Sequence, residues 1–133
     1  MDIPSTANAT ASMTALRVAG QAGFDRVVIE FSGTGAPGVK VDYDNQPVAD
    51  GSGAPIAVQG VTTLKVRLFP ATSIDYTGQG RVTASDTKNI TEVVRGGDFE
   101  AVLTWFVGLR TKAPFRVTVL QNPTRVVVDV AAS

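Results

Sequence analysis

The sequence contains short apolar runs, in which every second residue is hydrophobic, that recur about every ten residues. Successive side chains of a β-strand point to opposite faces, so this alternation is typical of strands with one buried and one solvated face. One run has Val27, Ile29 and Phe31 on one face and Arg26 and Glu30 on the other. Gly, Pro, Asn and Asp separate the runs, and no segment has a helical period. The sequence therefore predicts an all-β domain.

The strongest single strand signal is Ala101–Leu109, which is apolar at both parities, as expected for a central strand covered on both faces. Alternation predicts further strands around Leu16–Val18, Val39–Tyr43, Leu64–Leu68, Ile90–Arg95, and a terminal hairpin of Phe115–Val119 with Arg125–Val130. We therefore predict a single-domain β-sandwich of about eight to nine mostly antiparallel strands.

Trp105, the only tryptophan, is predicted to lie in the core. Its same-parity neighbours Leu103 and Val107 are apolar, which favours a core position over an exposed sugar platform. Its indole N–H would then need a partner. The residues expected to pack with it or near it are Phe31, Val66, Leu103, Phe115 and Val128.

The chain has 133 residues, the length of one domain and too few for two independent cores. Residues 1–12 are rich in Ala, Thr, Ser and Asn without an apolar period, which predicts a disordered or tether-like lead-in. The folded domain is expected to span residues 13–133. No apolar run is long enough to cross a bilayer, so we expect no direct membrane insertion of this sequence.

The amino-acid composition excludes several classes of catalytic and binding site. Histidine and cysteine are absent, which removes the Ser-His-Asp triad, the thiolate nucleophile and the usual zinc ligands. The 12 Lys and Arg residues balance the 12 Asp and Glu residues, so the zero net charge does not favour nucleic acid or anionic lipid as a partner. We predict no enzyme activity, no cofactor, no metal site and no nucleic-acid partner.

Carboxylates are the remaining catalytic candidates. Glu92, Asp98 and Glu100 lie close in sequence, and glycoside hydrolysis needs two carboxyl groups roughly 5 to 9.5 Å apart across a cleft. The favoured interpretation is that they are solvated charges flanking a Gly-Gly turn, because a sugar cleft also needs aromatic platforms. No catalytic residue is therefore predicted.

Two loops and one strand face invite a binding interpretation. Asp42-x-Asp44-Asn45 hints at calcium but lacks the rest of an EF-hand pattern, so an ordinary Asx-rich loop is favoured. Gly96-Gly97 can form an anion-binding nest, although a tight turn or bulge is favoured. The outward charges of the strands can bind peptide carboxylates or form cross-strand ion pairs, and these residues are Arg26, Glu30, Arg116, Arg125 and Asp129.

Motifs in a fixed order carry a resemblance to a known family. They are Gly23–Phe31 (GFDRVVIEF), Asp50–Gly53 (DGSG), Asn89–Glu100 (NITEVVRGGDFE), Leu103–Trp105 (LTW), Pro114–Val117 (PFRV) and Asn122–Val130 (NPTRVVVDV). Together they resemble the AMIN-like domain family. The closing turn and strand are also similar to the signature of the wider AMIN group.

The resemblance implies a β-sandwich module of a bacterial envelope protein, related to domains that place cell-wall amidases and secretins on peptidoglycan. It implies an extracytoplasmic location, secreted or lipid-anchored through a segment outside this sequence. The expected function is non-catalytic binding of peptidoglycan or another envelope glycan. The alternative is a protein–protein adaptor that docks an envelope partner through a strand edge, and an apolar-ligand carrier is a weaker one. A glycan binder should have exposed aromatic side chains beside Arg and Asn. An adaptor should have a long uncharged strand edge, and a carrier should have a large closed apolar cavity.

Four residues are predicted as ligand-binding candidates: Tyr76, Arg81, Arg95 and Asp98. They lie in or near the loop 70–80 and the Gly96-Gly97 corner, where strand parity does not dictate side-chain direction. A sugar needs a stacking surface and hydrogen-bonding groups, and a peptide carboxylate needs Arg. For Tyr76, an alternative role is to pin its own loop.

Overall fold

The computed structural model describes residues 1–132, which form two β-sheets. The strands are β1 (Asp2–Ile3), β2 (Thr10–Gln21), β3 (Phe24–Thr34), β4 (Gly38–Tyr43), β5 (Thr62–Phe69), β6 (Ala71–Thr72), β7 (Arg81–Thr83), β8 (Ile90–Phe99), β9 (Val102–Leu109), β10 (Phe115–Leu120) and β11 (Thr124–Ala131). Among these residues there is no helical segment with the length and hydrophobicity that spanning a bilayer requires.

Sheet A has the strand order β1-β4-β5-β9-β8-β7, and sheet B has the order β10-β11-β3-β2-β6. The strands pair antiparallel, apart from the short parallel pairing of β2 with β6. The predicted all-β sandwich is confirmed. There are more strands than the eight to nine expected, because β1, β6 and β7 have only two or three residues, too few to show alternation.

The core between the sheets is built from the inward positions that alternation predicts. Trp105 is 0% exposed and pairs with Val66 of β5 and Arg95 of β8. The predicted neighbours are buried or, for Phe115, half-buried against the core, and they are Phe31, Val66, Leu103, Phe115 and Val128. The core prediction is confirmed. The indole Nε1 of Trp105, however, has no hydrogen-bond partner among residues 1–132.

The face of sheet A that points away from sheet B, here called the outer face, is covered over β8 and β9 by residues 44–61. Thr104 Oγ1 donates a hydrogen bond of 2.6 Å to Asp50 Oδ2 in this segment. Thr104 and Phe106 are fully buried as a result. This cover explains why β9 is apolar at both parities, as predicted for a strand buried on both faces.

A buried carboxylate joins the two sheets at one end of the sandwich. Asp25 of β3 is fully buried, and its Oδ2 accepts the backbone N–H groups of Asn89 at 2.7 Å and Ile90 at 2.9 Å. The N–H of Lys88 lies 3.1 Å from both carboxylate oxygens. The side chain of Asn89 extends the network, because its Nδ2 donates to the carbonyl of Ala131 at 3.0 Å. Sheet B is thereby hydrogen-bonded to the start of β8 in sheet A.

The N-terminal residues differ from the expected tether-like lead-in. Residues 2–3 form β1, which pairs with β4, and β2 begins at Thr10. Backbone pairing satisfies N–H and C=O groups whatever the side chains are, so a prediction from composition misses it. The predicted start of the domain at Met13 falls inside β2, and its predicted end at Ser133 lies outside the described residues.

The glycine pair Gly96-Gly97 lies within β8, in a register shift typical of a β-bulge, and the strand expected to end at Arg95 continues to Phe99. A Cβ on Gly97 would lie 2.6 Å from the Cβ of Asp50, so glycine is needed there for close approach of the covering segment. The turn into β9 is made instead by Glu100 and Ala101, with φ angles of 52° and 63°.

Replacing Glu100-Ala101 with Asn-Gly is expected to raise the free energy of unfolding by about 1 kcal/mol, because a left-handed backbone disfavours L-residues other than Gly and Asn by a comparable amount. Urea denaturation of the double variant Glu100→Asn/Ala101→Gly measures the change. The matched control is Ala22→Gly in the β2–β3 turn, where Ala22 does not have a positive φ and glycine should destabilise. A double variant that unfolds at a lower urea concentration than the parent would contradict this prediction.

Candidate functional site

Three of the four predicted residues meet around Ser73, in the segment between β6 and β7. The Oγ of Ser73 donates to Asp98 Oδ2 at 2.9 Å, and Arg95 Nη1 donates to the same Oγ at 3.3 Å. The backbone N–H of Ser73 and the hydroxyl of Thr72 also donate to Asp98 Oδ2, at 2.7 Å and 2.9 Å. Ser73 therefore links a cation and an anion that belong to the same strand, β8.

The carboxylate of Asp98 is held in place and ionised. Its partial burial alone would raise its pKa, but the hydrogen bonds from Ser73 and Thr72 and the charge of Arg95 together lower the pKa below its ordinary value. Three donors converge on Oδ2, whereas Oδ1 accepts no hydrogen bond from residues 1–132. Oδ1 is therefore a fixed acceptor with free capacity.

Asp98 lines an open groove of about 650 Å³ between β2, β6 and the β8–β9 turn. This Asp98 groove is lined mostly by small or hydroxyl-bearing residues, among them Thr10, Ser12, Gly33, Thr72 and Ala101. The residues next in sequence to Ser73 and Asp98 are strongly exposed hydrophobics, Ile74 at 81% and Phe99 at 51%. Neither lines the groove, and the ring of Phe99 lies beside Gly51 on the outer face of sheet A. The groove thus combines a fixed charge with hydroxyl groups and small apolar side chains.

Tyr76 lies beside this cluster with part of its ring in the core. Its ring packs edge-on against Trp105 with centroids 5.8 Å apart, and its hydroxyl donates to the carbonyl of Gln79 at 2.8 Å. Burial raises the pKa of Tyr76, and the charge of Arg95 only partly opposes this. In the free protein, Tyr76 therefore holds its own loop in place, because its ring contacts Trp105 and its hydroxyl is bonded to Gln79.

Arg81 lies apart from the other three candidates. It is aligned with Val94 in the β7–β8 ladder, so it points to the opposite face of sheet A from Arg95. Its Nη1 lies 2.7 Å from Oε2 of Glu92, a carboxylate that is almost fully buried under the covering segment. Glu92 and Asp98 are also on opposite faces of the sheet, so they do not flank one cleft as a glycosidase pair must.

The comparisons with known proteins decide the family. The AMIN-like domain family matches the chain over residues 11–132. The chain belongs to the AMIN-like domain family. No curated protein and no solved structure matches it. AMIN-like domains are generally non-catalytic binding modules, and the family is associated with the bacterial cell envelope, so this chain is a cell-envelope-related module.

The loop considered for calcium in this AMIN-like domain is an Asx turn. Asp44 Oδ1 accepts the backbone N–H of Gln46 at 2.8 Å, and Asn45 Oδ1 accepts the hydroxyl of Thr62 at 2.6 Å. Within the described residues, no group of three or more acidic side chains is placed to hold a metal ion. The oxygen atoms of this loop are therefore used to shape the loop itself.

A second open pocket, which the sequence pattern did not reveal, lies at the opposite end of the domain and encloses about 380 Å³. We call it the Arg116 pocket, and its lining residues include Phe24, Pro114, Phe115, Arg116 and Asp129. Alternation placed Arg116 and Asp129 on the outward face, but nothing in sequence brings Phe24 next to Phe115. The β2–β3 turn and the β9–β10 connection meet only in the folded sandwich.

Proposed function

We propose that this AMIN-like domain is a non-catalytic module that binds peptidoglycan or another envelope glycan, and that the Asp98 groove is its binding site. The observation that carries the proposal is the Arg95–Ser73–Asp98 cluster, in which an ionised carboxylate that lines an open groove shares a serine hydroxyl with a guanidinium. The proposal places the domain outside the cytoplasm, secreted or lipid-anchored.

The chemistry of the groove suits a glycan. The free Oδ1 of Asp98 can accept sugar hydroxyl or amide protons, and the hydroxyls of Thr10 and Thr72 can donate or accept. Arg95 supplies the cation that a peptide or lactyl carboxylate requires. Among the lining residues, Pro70, Ala71 and Ala101 offer apolar contact for acetyl and ring CH groups.

The turn beside the groove fixes the position of one lining residue. Glu100 and Ala101 both hold left-handed backbone conformations that other residues adopt more easily, and Ala101 lines the groove. A two-residue hairpin turn of type I′ requires a positive φ at both of its residues, so this geometry belongs to the β8–β9 turn. With a neutral net charge and few exposed aromatics, we expect a dissociation constant between about 1 µM and 1 mM.

The adaptor alternative is supported by one observation. Of the strands at the sheet edges, β1, β6 and β7 have two or three residues, and β10 has six. β10 is unpaired along its outer edge, and on the side away from β3 the strand β2 has a partner only at Ala11 and Ser12, so two edges are long enough for a partner strand to pair with. Both cavities described above are open clefts, which does not favour an apolar-ligand carrier.

Co-sedimentation with purified sacculi tests the binding function. The parent domain is expected to pellet with sacculi at low salt, and Arg95→Ala and Asp98→Asn should each weaken binding about tenfold, the usual loss for a hydrogen bond to a charged group. Arg17→Ala is the matched control, because Arg17 pairs with Glu30 on the far face of sheet B. The supernatant is expected to contain no released muropeptides.

Folding of each variant is verified by its thermal transition before binding is compared. If Arg95→Ala and Asp98→Asn pellet as the parent does, the Asp98 groove is not the site. If the parent itself does not pellet, glycan binding is wrong and the edges of β10 and β2 become the surfaces to test against envelope proteins.

A further inference from the structure

We propose that the Arg116 pocket binds the free carboxylate end of a short peptide with small apolar side chains. The pocket is separate from the Asp98 groove. Gly23 lines one and Gly33 lines the other, and ten residues of extended chain between them span about 33 Å.

The cation of this pocket is the guanidinium of Arg116, which has no ion-pair partner in the described chain. On the same face of sheet B, Arg26 forms a bidentate pair with Asp129 at 2.8 Å and 3.0 Å, and Arg17 pairs with Glu30 at 3.1 Å. Arg116 is aligned with Asp129 in the β10–β11 ladder, but it forms no ion pair or hydrogen bond with any residue of the described chain. Asp129 is engaged by Arg26, so the guanidinium of Arg116 is left facing solvent at the pocket.

A planar guanidinium with free donors matches a carboxylate, to which it can donate two parallel hydrogen bonds. Asp129 is the nearest competing anion, and it already accepts both hydrogen bonds of the Arg26 fork. An incoming carboxylate therefore does not need to displace an existing partner of Arg116.

About half of the pocket wall is apolar. The ring of Phe24 lies under the Arg26 guanidinium, which is 5.3 Å from its centroid. Phe115 precedes Arg116 on β10, so its ring points to the other face of sheet B, where it packs edge-on against Tyr43 at 5.5 Å and holds this end of the strand in place. Pro114 completes this side of the pocket. Walls of this kind suit methyl groups, and a volume of about 380 Å³ accommodates one or two small residues.

A peptide end fits this combination better than a sugar. A sugar ring needs several hydrogen-bonding groups, whereas the polar side chains among the lining residues are only those of Arg116 and Asp129. A carboxylate followed by an amide needs one cation and one acceptor, and these two residues supply them. The inference rests on the proposed function only in the choice of an alanine peptide as the probe.

The test is a titration of the isotope-labelled domain with N-acetyl-D-alanyl-D-alanine, followed by amide NMR shifts. The backbone amides of Phe24, Phe115 and Arg116 are expected to shift in a saturable manner. The carboxamide of the same dipeptide should bind at least tenfold more weakly because it lacks the charge. Arg116→Gln should weaken binding of the acid at least tenfold, and Arg17→Gln is the control that should not.

Equal binding of the acid and the carboxamide would overturn the proposal, as would shifts unchanged by Arg116→Gln. Inorganic phosphate that binds as tightly as the dipeptide would show a general anion site and would also overturn it. The two proposals fail separately, because sacculus binding lost in Arg95→Ala reports the Asp98 groove. Dipeptide shifts at Phe24 and Phe115 report the Arg116 pocket alone.

Discussion

Trp105→Ala is expected to lower the free energy of unfolding by about 3–5 kcal/mol, the usual loss when a buried aromatic side chain is truncated. Trp105 is 0% exposed in sheet A, and its ring contacts the ring of Tyr76, which lies in the segment between β6 and β7. Its removal leaves a cavity that strands paired on both sides of β9 cannot easily close. Denaturant unfolding followed by circular dichroism measures the change.

Two variants make this result specific. Phe99→Ala, at a position 51% exposed, should cost less than about 1 kcal/mol. Trp105→Phe should cost much less than Trp105→Ala, because phenylalanine fills most of the space and removes a buried N–H that has no partner in the described structure. If Trp105→Ala unfolds at the parent's denaturant concentration, the core assignment is wrong.

Asp25→Ala is also expected to lower the free energy of unfolding by about 3–5 kcal/mol. Here the main loss is of buried hydrogen bonds and not of hydrophobic contacts. The substitution leaves the buried N–H groups of Asn89 and Ile90 without an acceptor, and each such group costs about 1–3 kcal/mol. The N–H of Lys88 adds a smaller loss. Because these bonds join the two sheets, hydrogen exchange should accelerate first at the start of β8.

Asp25→Asn is the matched variant, since asparagine has the same shape and keeps one acceptor oxygen. It should retain more of the stability than Asp25→Ala does. Asp129→Asn, which changes the charge of a half-buried carboxylate on the solvent-facing side of sheet B, should have a smaller effect than either. An Asp25→Ala variant within about 1 kcal/mol of the parent would show that the network does not hold the sheets together.

Side-chain alternation was enough to predict the core. Val27, Ile29 and Phe31 are buried where parity placed them, and Trp105 lies in the core. The same parity applies to Asp25, which shares the inward face of β3 with these residues. An inward acid at the end of an apolar alternation was therefore a usable signal for the buried network.

The candidate site was less predictable, because its geometry depends on contacts between distant segments. Ser73, which links Arg95 to Asp98, is an ordinary serine in a loop until β6 and β8 are brought together. Tyr76 and Arg81 are close in sequence, yet one packs on the core and the other pairs with Glu92 on the outer face. Loop position alone does not give the direction of a side chain.

The strand order of sheet B has a consequence for how this domain is made. β11 is the last strand of the described chain, yet it lies between β10 and β3. During synthesis, one edge of β3 therefore stays unpaired until about a hundred further residues have been made and β11 is available. Until then its apolar side chains and open backbone groups can pair with other chains. The nascent domain is therefore most prone to aggregation just before β11 is available.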